Sequence, residues 1–150
     1  MNRAYITPKR IVTKYAGCKN NLIKDEHYLL ERGNGQSEMN RKKCCIMTST
    51  ETEKASLLLD FGSELHGGLK LVMGSSSRRE PSLVRIRFGE SVGEANSSTS
   101  NSEWKVGFST DDHAKRDIIM EIPRDGMIEI GNTGFRFVRL DLLQNTLLSL

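Results

Sequence analysis

The sequence has few cysteines, and their positions argue against both a metal site and a disulfide framework. Only Cys18, Cys44 and Cys45 are present, and the chain has no Cys-x-x-Cys pair or pair of histidines at ligand spacing. Cys44 and Cys45 are adjacent, so on a strand they would point to opposite faces and could not easily bond each other. We therefore expect reduced thiols, no metal and no cofactor, in a cytoplasmic protein.

Long apolar segments are also lacking. No run approaches the roughly 18 residues that span a bilayer, and the first residues are not followed by the apolar stretch of a secretory signal. The net charge of +3, from 22 basic and 19 acidic residues, is too small to indicate nucleic acid or a membrane as a partner. The 150 residues are typical of one soluble domain with a real core.

The charge is unevenly distributed along the chain. Residues 1–50 carry 10 basic and 4 acidic side chains, whereas residues 51–150 carry 12 and 15. We therefore divide the chain into a basic N-terminal segment, residues 1–43, and a domain of residues 44–150. The first part contains the best helix candidate, residues 21–32, which has acidic residues near its start and glycine after its end.

Beyond residue 43 the apolar residues recur mostly with period two. Short alternating runs separated by Gly, Ser, Asn and Asp are typical of an antiparallel β-sandwich. The two consecutive glycines at 67 and 68 are interpreted as a tight turn between two strands or as a ligand loop. Residues 91–102 are interpreted as a long surface loop. We predict an all-β fold with one short N-terminal helix. The side chains expected in its core are Val84, Ile86, Phe88, Val138, Leu140 and Leu142.

Two polar features have alternative interpretations. The cluster of Asp111, Asp112, His113 and Arg116 is either a turn into the next strand or a site for a sugar, a cation or a partner loop. Its spacing is not that of a calcium loop, so we expect weak calcium binding or none. Trp104 is either buried at a strand start or available to stack on a sugar ring. These five residues are the candidate glycan-binding residues.

The last long strand suggests an interface. Phe135 and Phe137 share one face with Arg139 and Asp141, although a face in contact with water should be polar. A second domain, a partner or a second copy would cover this face. The alternative is that residues 1–43 fold back over it. The expected interface residues are Phe135, Phe137 and Arg139.

Four segments resemble, in order, sequences of bacterial alpha-L-rhamnosidase-like proteins (glycoside hydrolase family 78). Residues 7–12 and 33–36 also look similar to the start of such chains. The four segments are LLDFGSELHGG at 58–68, VRIRFGESV at 84–92, DHAKRD at 112–117 and GNTGFRFVR at 131–139.

This resemblance implies a β-sandwich, of jelly-roll and galactose-binding-like type, that precedes a catalytic (α/α)6 barrel. The matching part holds none of the family's catalytic carboxylates, so no catalytic residue is carried over and enzyme status stays open. We expect an accessory domain that packs on such a barrel and contacts a rhamnose-containing glycan. The alternatives are a free-standing carbohydrate-binding module and a small hydrolase, for which the sequence offers no recognisable set of positioned groups.

Overall fold

Two antiparallel sheets hold most of the residues that the structure describes. A computed structural model describes residues 3–15, 22–32, 43–97 and 116–150, and strands make up 59% of them. The strands are β1 (Arg10–Tyr15), β2 (Ile23–Lys24), β3 (Ile46–Ser49), β4 (Ser56–Met73), β5 (Ser75–Ser76), β6 (Ser82–Gly89), β7 (Asp117–Ile122), β8 (Gly126–Leu142) and β9 (Thr146–Ser149).

The sheets form the predicted all-β sandwich. The larger sheet has five strands in the order β1-β4-β8-β6-β7, and the smaller has four in the order β2-β3-β9-β5. Apolar side chains from both sheets make one core between them, in which Met47 and Leu148 of the smaller sheet pack with Leu57 and Ile86 of the larger. The all-β class is confirmed; the jelly-roll type stays a prediction.

The period-two pattern correctly places the side chains of β6 and of the last part of β8. All six predicted core residues are buried in the main cluster. Arg85 and Arg87 lie on the opposite face of β6 and bond to carboxylates there. We call this opposite side of the five-stranded sheet its outer face.

The glycine pair at 67–68 is not a turn, contrary to the sequence interpretation. It lies inside β4, which runs continuously beside β8. A Cβ at Gly68 would lie 2.6 Å from the carbonyl oxygens of both Ile130 and Gly131, whereas one at Gly67 would meet nothing within 4 Å. The second glycine therefore permits a close approach of two strands, at a register shift between Gly67 and Leu69.

The expected exposure of the two phenylalanines is wrong. Phe135 belongs to the main core and meets Phe61 and Phe88 edge-on, with ring centroids 5.5 and 5.2 Å apart. Phe137 is buried on the outer face, in a second cluster with Leu58 and Ala95. The alternation fails between them because β4 bulges, with residues 61–64 facing a single position of β8. The chain thus covers both rings itself.

The helices also differ from expectation. The predicted helix at 21–32 is replaced, in its described part, by β2 and a 3-10 helix at Glu26–Leu30. The expected loop at 91–102 instead contains a short helix, α1 (Val92–Asn96). Its Ser91 hydroxyl accepts a hydrogen bond from the Glu94 backbone N–H at 3.2 Å, a capping interaction that the Ser-x-x-Glu spacing could have indicated. In the described ranges, neither helix is long and apolar enough to cross a membrane.

The N-terminal segment contributes to both sheets. β1 pairs with β4, and β2 pairs with β3. The division at residues 43 and 44 stays a prediction, but these pairings join its two sides. Cys44 and Cys45 are both buried, and burial raises the pKa of the Cys45 thiol to about 12. Cys18 lies outside the described residues.

Candidate functional site on the five-stranded sheet

Most of the predicted glycan-binding residues cannot be placed. Trp104, Asp111, Asp112 and His113 lie outside the described residues. Arg116 is described and lies just before β7. Its position is fixed by the backbone, because its carbonyl oxygen accepts a hydrogen bond of 2.8 Å from the N–H of Phe88.

The described parts of the four segments that carry the family resemblance meet on one sheet. Residues 58–68 belong to β4, 131–139 to β8, 84–89 to β6, and Asp117 begins β7. These four strands are consecutive neighbours in the sheet order. Segments far apart in sequence therefore place their charged side chains side by side. Arg85 pairs with Asp117, and three larger polar clusters also form.

The first group, the Arg116 cluster, draws on several segments. The Arg116 guanidinium donates to the Glu90 carboxylate and to the Thr133 hydroxyl, both at 3.1 Å, and lies 3.9 Å from the Glu94 carboxylate. His66, opposite Gly134 on β4, is exposed near this end of the sheet. The cluster thus offers exposed carboxylates around a guanidinium, groups that hydrogen-bond hydroxyls or opposite charges.

The second group, the Asp141 cluster, is buried on the outer face. Arg87 donates to Asp141 at 2.7 Å and Arg139 donates to it at 2.9 Å; the Arg87 and Asp141 side chains are 7% and 10% exposed. Burial alone would raise the pKa of Asp141, but hydrogen bonds from Ser56, Arg139 and Arg87 outweigh it and hold the pKa below its usual range. Asp141 therefore stays ionised.

The same arginines hold α1 against the sheet. Arg87 donates to the backbone carbonyls of Asn96 and Ser97 at 3.2 and 3.1 Å, and Arg139 donates to the Asn96 side chain at 2.8 Å. The last carbonyls of a helix lack partners within it and attract positive charge. The buried ion pair therefore also fixes the end of the helix that covers Phe137.

The third group, the Asp60 cluster, lies where β1, β4 and β8 meet. Asp60 accepts hydrogen bonds from Arg136 at 2.9 and 3.1 Å, from Arg10 at 2.9 Å and from the Gly62 N–H at 2.8 Å. Gly62 has a φ of +85°, which favours glycine. The hydrogen bonds from Arg136, then from Gly62 and Arg10, overcome desolvation and hold the pKa of Asp60 well below its usual range.

These carboxylates are poorly suited to acid catalysis. A glycosidase general acid needs a raised pKa, so that it is protonated when it meets the substrate. Asp60 and Asp141 are shifted the opposite way by their arginine partners. Within the described ranges, no group of three or more His, Cys, Asp or Glu side chains is placed to hold a metal ion.

The sequence indicated the segments but not their pairing. Asp60 and Arg136 are 76 positions apart, and Arg87 and Asp141 are 54 apart. Only the sheet order brings these residues together. The available signal was the alternation of β6, which puts Arg85 and Arg87 on a face where a partner of opposite charge is required.

Comparisons with known proteins find similarity at the level of structure only. No protein-family model and no curated protein sequence matches the chain. A solved structure, a rhamnosidase from Klebsiella oxytoca with rhamnose bound, is similar over 73% of this chain at 16% sequence identity, with a TM-score of 0.48. The match covers 21% of that chain. A likeness at this level carries no argument about what the present chain does.

Proposed function

We propose that the chain is a non-catalytic accessory β-sandwich domain, like that of an alpha-L-rhamnosidase, which packs against an (α/α)6 catalytic barrel and contacts glycan. Jelly-roll topology and membership of the glycoside hydrolase family are part of this proposal. Its expected partners are the barrel and a rhamnose-containing glycan.

One observation supports this proposal most directly. The described parts of the four segments that resemble rhamnosidase sequences contribute to four adjacent strands. Ion pairs join these strands, including Asp60 with Arg136 and Arg87 with Asp141. Their charged residues thus serve the integrity of one sheet. This is the expected role in a domain whose task is to present a stable surface, since the buried carboxylates are committed to arginines.

The first experiment measures turnover and binding with the chain as it is. The probes are para-nitrophenyl alpha-L-rhamnoside for hydrolysis and rhamnose for binding by calorimetry. We expect no hydrolysis and no saturable binding of the free sugar, because the proposed domain contacts glycan as one side of a cleft that the barrel completes. Hydrolysis that survives repeated purification would overturn the proposal, since it would make this domain an enzyme.

A variant pair separates the accessory domain from a free-standing carbohydrate-binding module. Saturable rhamnose binding that is lost in Arg116→Gln and kept in Arg79→Gln would favour the module. Arg79 is an exposed arginine outside the three clusters, so its replacement makes the same charge change elsewhere. Binding unaffected by either change would leave Arg116 without a role in the sugar site.

A second experiment tests the barrel partner. Sequencing of the genomic DNA around the coding region should reveal a helical-toroid domain in the same frame or in an adjacent gene. Co-expression of that domain with this chain should then yield a complex on size-exclusion chromatography. The absence of any such coding sequence would contradict the accessory role.

A further inference from the structure

The Asp60 cluster holds more positive than negative charge at the surface. Arg10 and Arg136 both bond to Asp60, so two guanidinium groups share one carboxylate and the set carries a net charge of +1. The Asp60 side chain is only 2% exposed, whereas those of Arg10 and Arg136 are 63% and 40% exposed. The negative charge therefore lies beneath and the positive charges face water.

The buried carboxylate fixes the direction of both arginines. Asp60 engages Nε and Nη2 of Arg136 but only Nε of Arg10. Among the described residues, no hydrogen bond uses either Nη atom of Arg10 or Nη1 of Arg136. Arg136 is further held over the Phe137 ring, 5.0 Å from its centroid. Several oriented N–H donors thus remain available to a ligand.

A third positive residue adjoins the pair. The Lys9 backbone N–H donates to the Asp60 carbonyl at 2.8 Å, and its exposed side chain passes over Gly62. The acidic residue that follows in the β4 bulge, Glu64, is exposed and makes no ion pair within the described part of the chain. Positive charge therefore predominates at this corner of the sandwich.

We propose that Arg10 and Arg136 together bind one oxyanion, a carboxylate or sulfate group. Its oxygens accept hydrogen bonds from the guanidinium N–H groups that Asp60 leaves unused, while Lys9 adds attraction. Paired, planar guanidinium donors match oxyanions in both charge and geometry. Because Asp60 already orients the donors, the ligand need not order them, which lowers the cost of binding. This site is independent of the proposed accessory role.

The test follows the arginine side-chain Nε–Hε signals by NMR in the isotopically labelled chain. Sodium sulfate is titrated at an ionic strength held constant with sodium chloride. We expect the Arg10 and Arg136 signals to shift and saturate. In Arg10→Gln the apparent dissociation constant should rise about tenfold or more, as loss of charge-assisted hydrogen bonds predicts. A linear response, or one that chloride reproduces, would overturn the proposal.

Two control variants keep the result interpretable. Arg79→Gln removes a surface arginine elsewhere and should leave sulfate binding unchanged. Arg10→Lys keeps the charge but loses the planar donors, so it should bind more weakly than the wild type and more tightly than Arg10→Gln. Equal weakening by Arg79→Gln would mean that net charge alone is measured, and the site would be rejected. Thermal melts of each variant establish that it is folded.

The source of the anion is distinguished in a separate titration. Glucuronate is compared with glucose, which has the same ring without the carboxylate. Saturation by glucuronate but not glucose supports a site for an acidic sugar, whereas saturation by sulfate alone supports a site for a free tetrahedral anion. Saturation by neither sulfate nor glucuronate contradicts the proposal.

Discussion

Asp141 and Arg87 form an ion pair that stabilises the fold only while both side chains remain charged. Each is largely removed from water, which carries a desolvation cost that their mutual attraction and further hydrogen bonds offset. Arg87 Nε is buried and has no hydrogen-bond partner among the residues that the structure describes, so the loss of its carboxylate would leave this guanidinium still less compensated. Replacing either residue should therefore reduce the free energy of unfolding more than is usual for residues on the outer face of a sheet.

We predict that Asp141→Asn lowers the free energy of unfolding by about 3–5 kcal/mol, because Arg87 is left buried without its counter-charge. Urea denaturation followed by circular dichroism measures the change. Asp125→Asn, at an exposed turn, is the matched control and should alter stability by less than about 0.5 kcal/mol. Equal effects from both variants would contradict the assigned role.

Asp60 should make stability depend on acidity. Its pKa is lowered in the folded state relative to the ordinary value of about 3.9. Its contribution is therefore complete above the unfolded pKa and is lost as the pH falls through the folded one. We predict that the stability difference between the wild type and Asp60→Asn is constant above about pH 5 and shrinks below about pH 4. A difference that grows on acidification would contradict this.

At the scale of elements, the long pair β4 and β8 determines where the larger sheet bends. β4 bulges at residues 61–64, whereas at the second register shift the extra residue lies in β8, where residues 131 and 132 face Gly68. Gly131 has a φ of +86°, with the Phe88 ring against it. These irregularities turn Phe135 into the core between the sheets. Bulges increase local twist and re-aim side chains, and here they keep two long strands wrapped over one core.

The two neighbouring glycines at 67 and 68 should respond differently to alanine. Gly68→Ala would place a methyl 2.6 Å from two backbone oxygens, which cannot move without disturbing the pairing of β4 with β8. We predict a loss of roughly 1–3 kcal/mol, as for overpacked sites. Gly67→Ala meets open space and should be neutral or slightly stabilising. Thermal melts compare the two, and a Gly68→Ala protein as stable as Gly67→Ala would refute the close approach.

The sequence predicts the alternation of β6, but it does not predict the irregularities of β4 and β8. Val84, Ile86 and Phe88 follow strict period two, so the sequence was enough to orient that strand. The pattern of β8 breaks at Arg136 because of a bulge in another strand, which no local pattern of β8 records. The helix predicted at 21–32 does not form over its first described residues, because their pairing with β3 overrides their helix propensity.

For the whole molecule, the location of the aromatic side chains decides whether this sheet offers an apolar interface. Phe135 and Phe137 are both buried by residues of the same chain. Self-association through these rings therefore loses its structural basis, while the partly exposed Arg139 remains a predicted contact residue. Any partner of this face meets mainly charged groups and α1.

We predict that Phe135→Ser combined with Phe137→Ser lowers the melting temperature by roughly 10–20 °C, because each change removes a buried ring worth about 3 kcal/mol or more. Analytical ultracentrifugation run alongside should show that the double variant has no larger monomer fraction than the wild type. A wild-type dimer that the double change converts to a stable monomer would restore the exposed-interface interpretation.

The buried Cys44 and Cys45 thiols, which lie just before β3, allow the opening of the fold to be followed by chemical labelling. The thiolate is the reactive form of cysteine, and Cys45 is both enclosed and protonated at neutral pH, because burial raises its pKa to about 12. In a variant with Cys18→Ser and Cys44→Ser, Cys45 is the remaining thiol, and its alkylation therefore proceeds through transiently open molecules. The rate of mass gain under native conditions would thus report the free energy of local or global opening without denaturant.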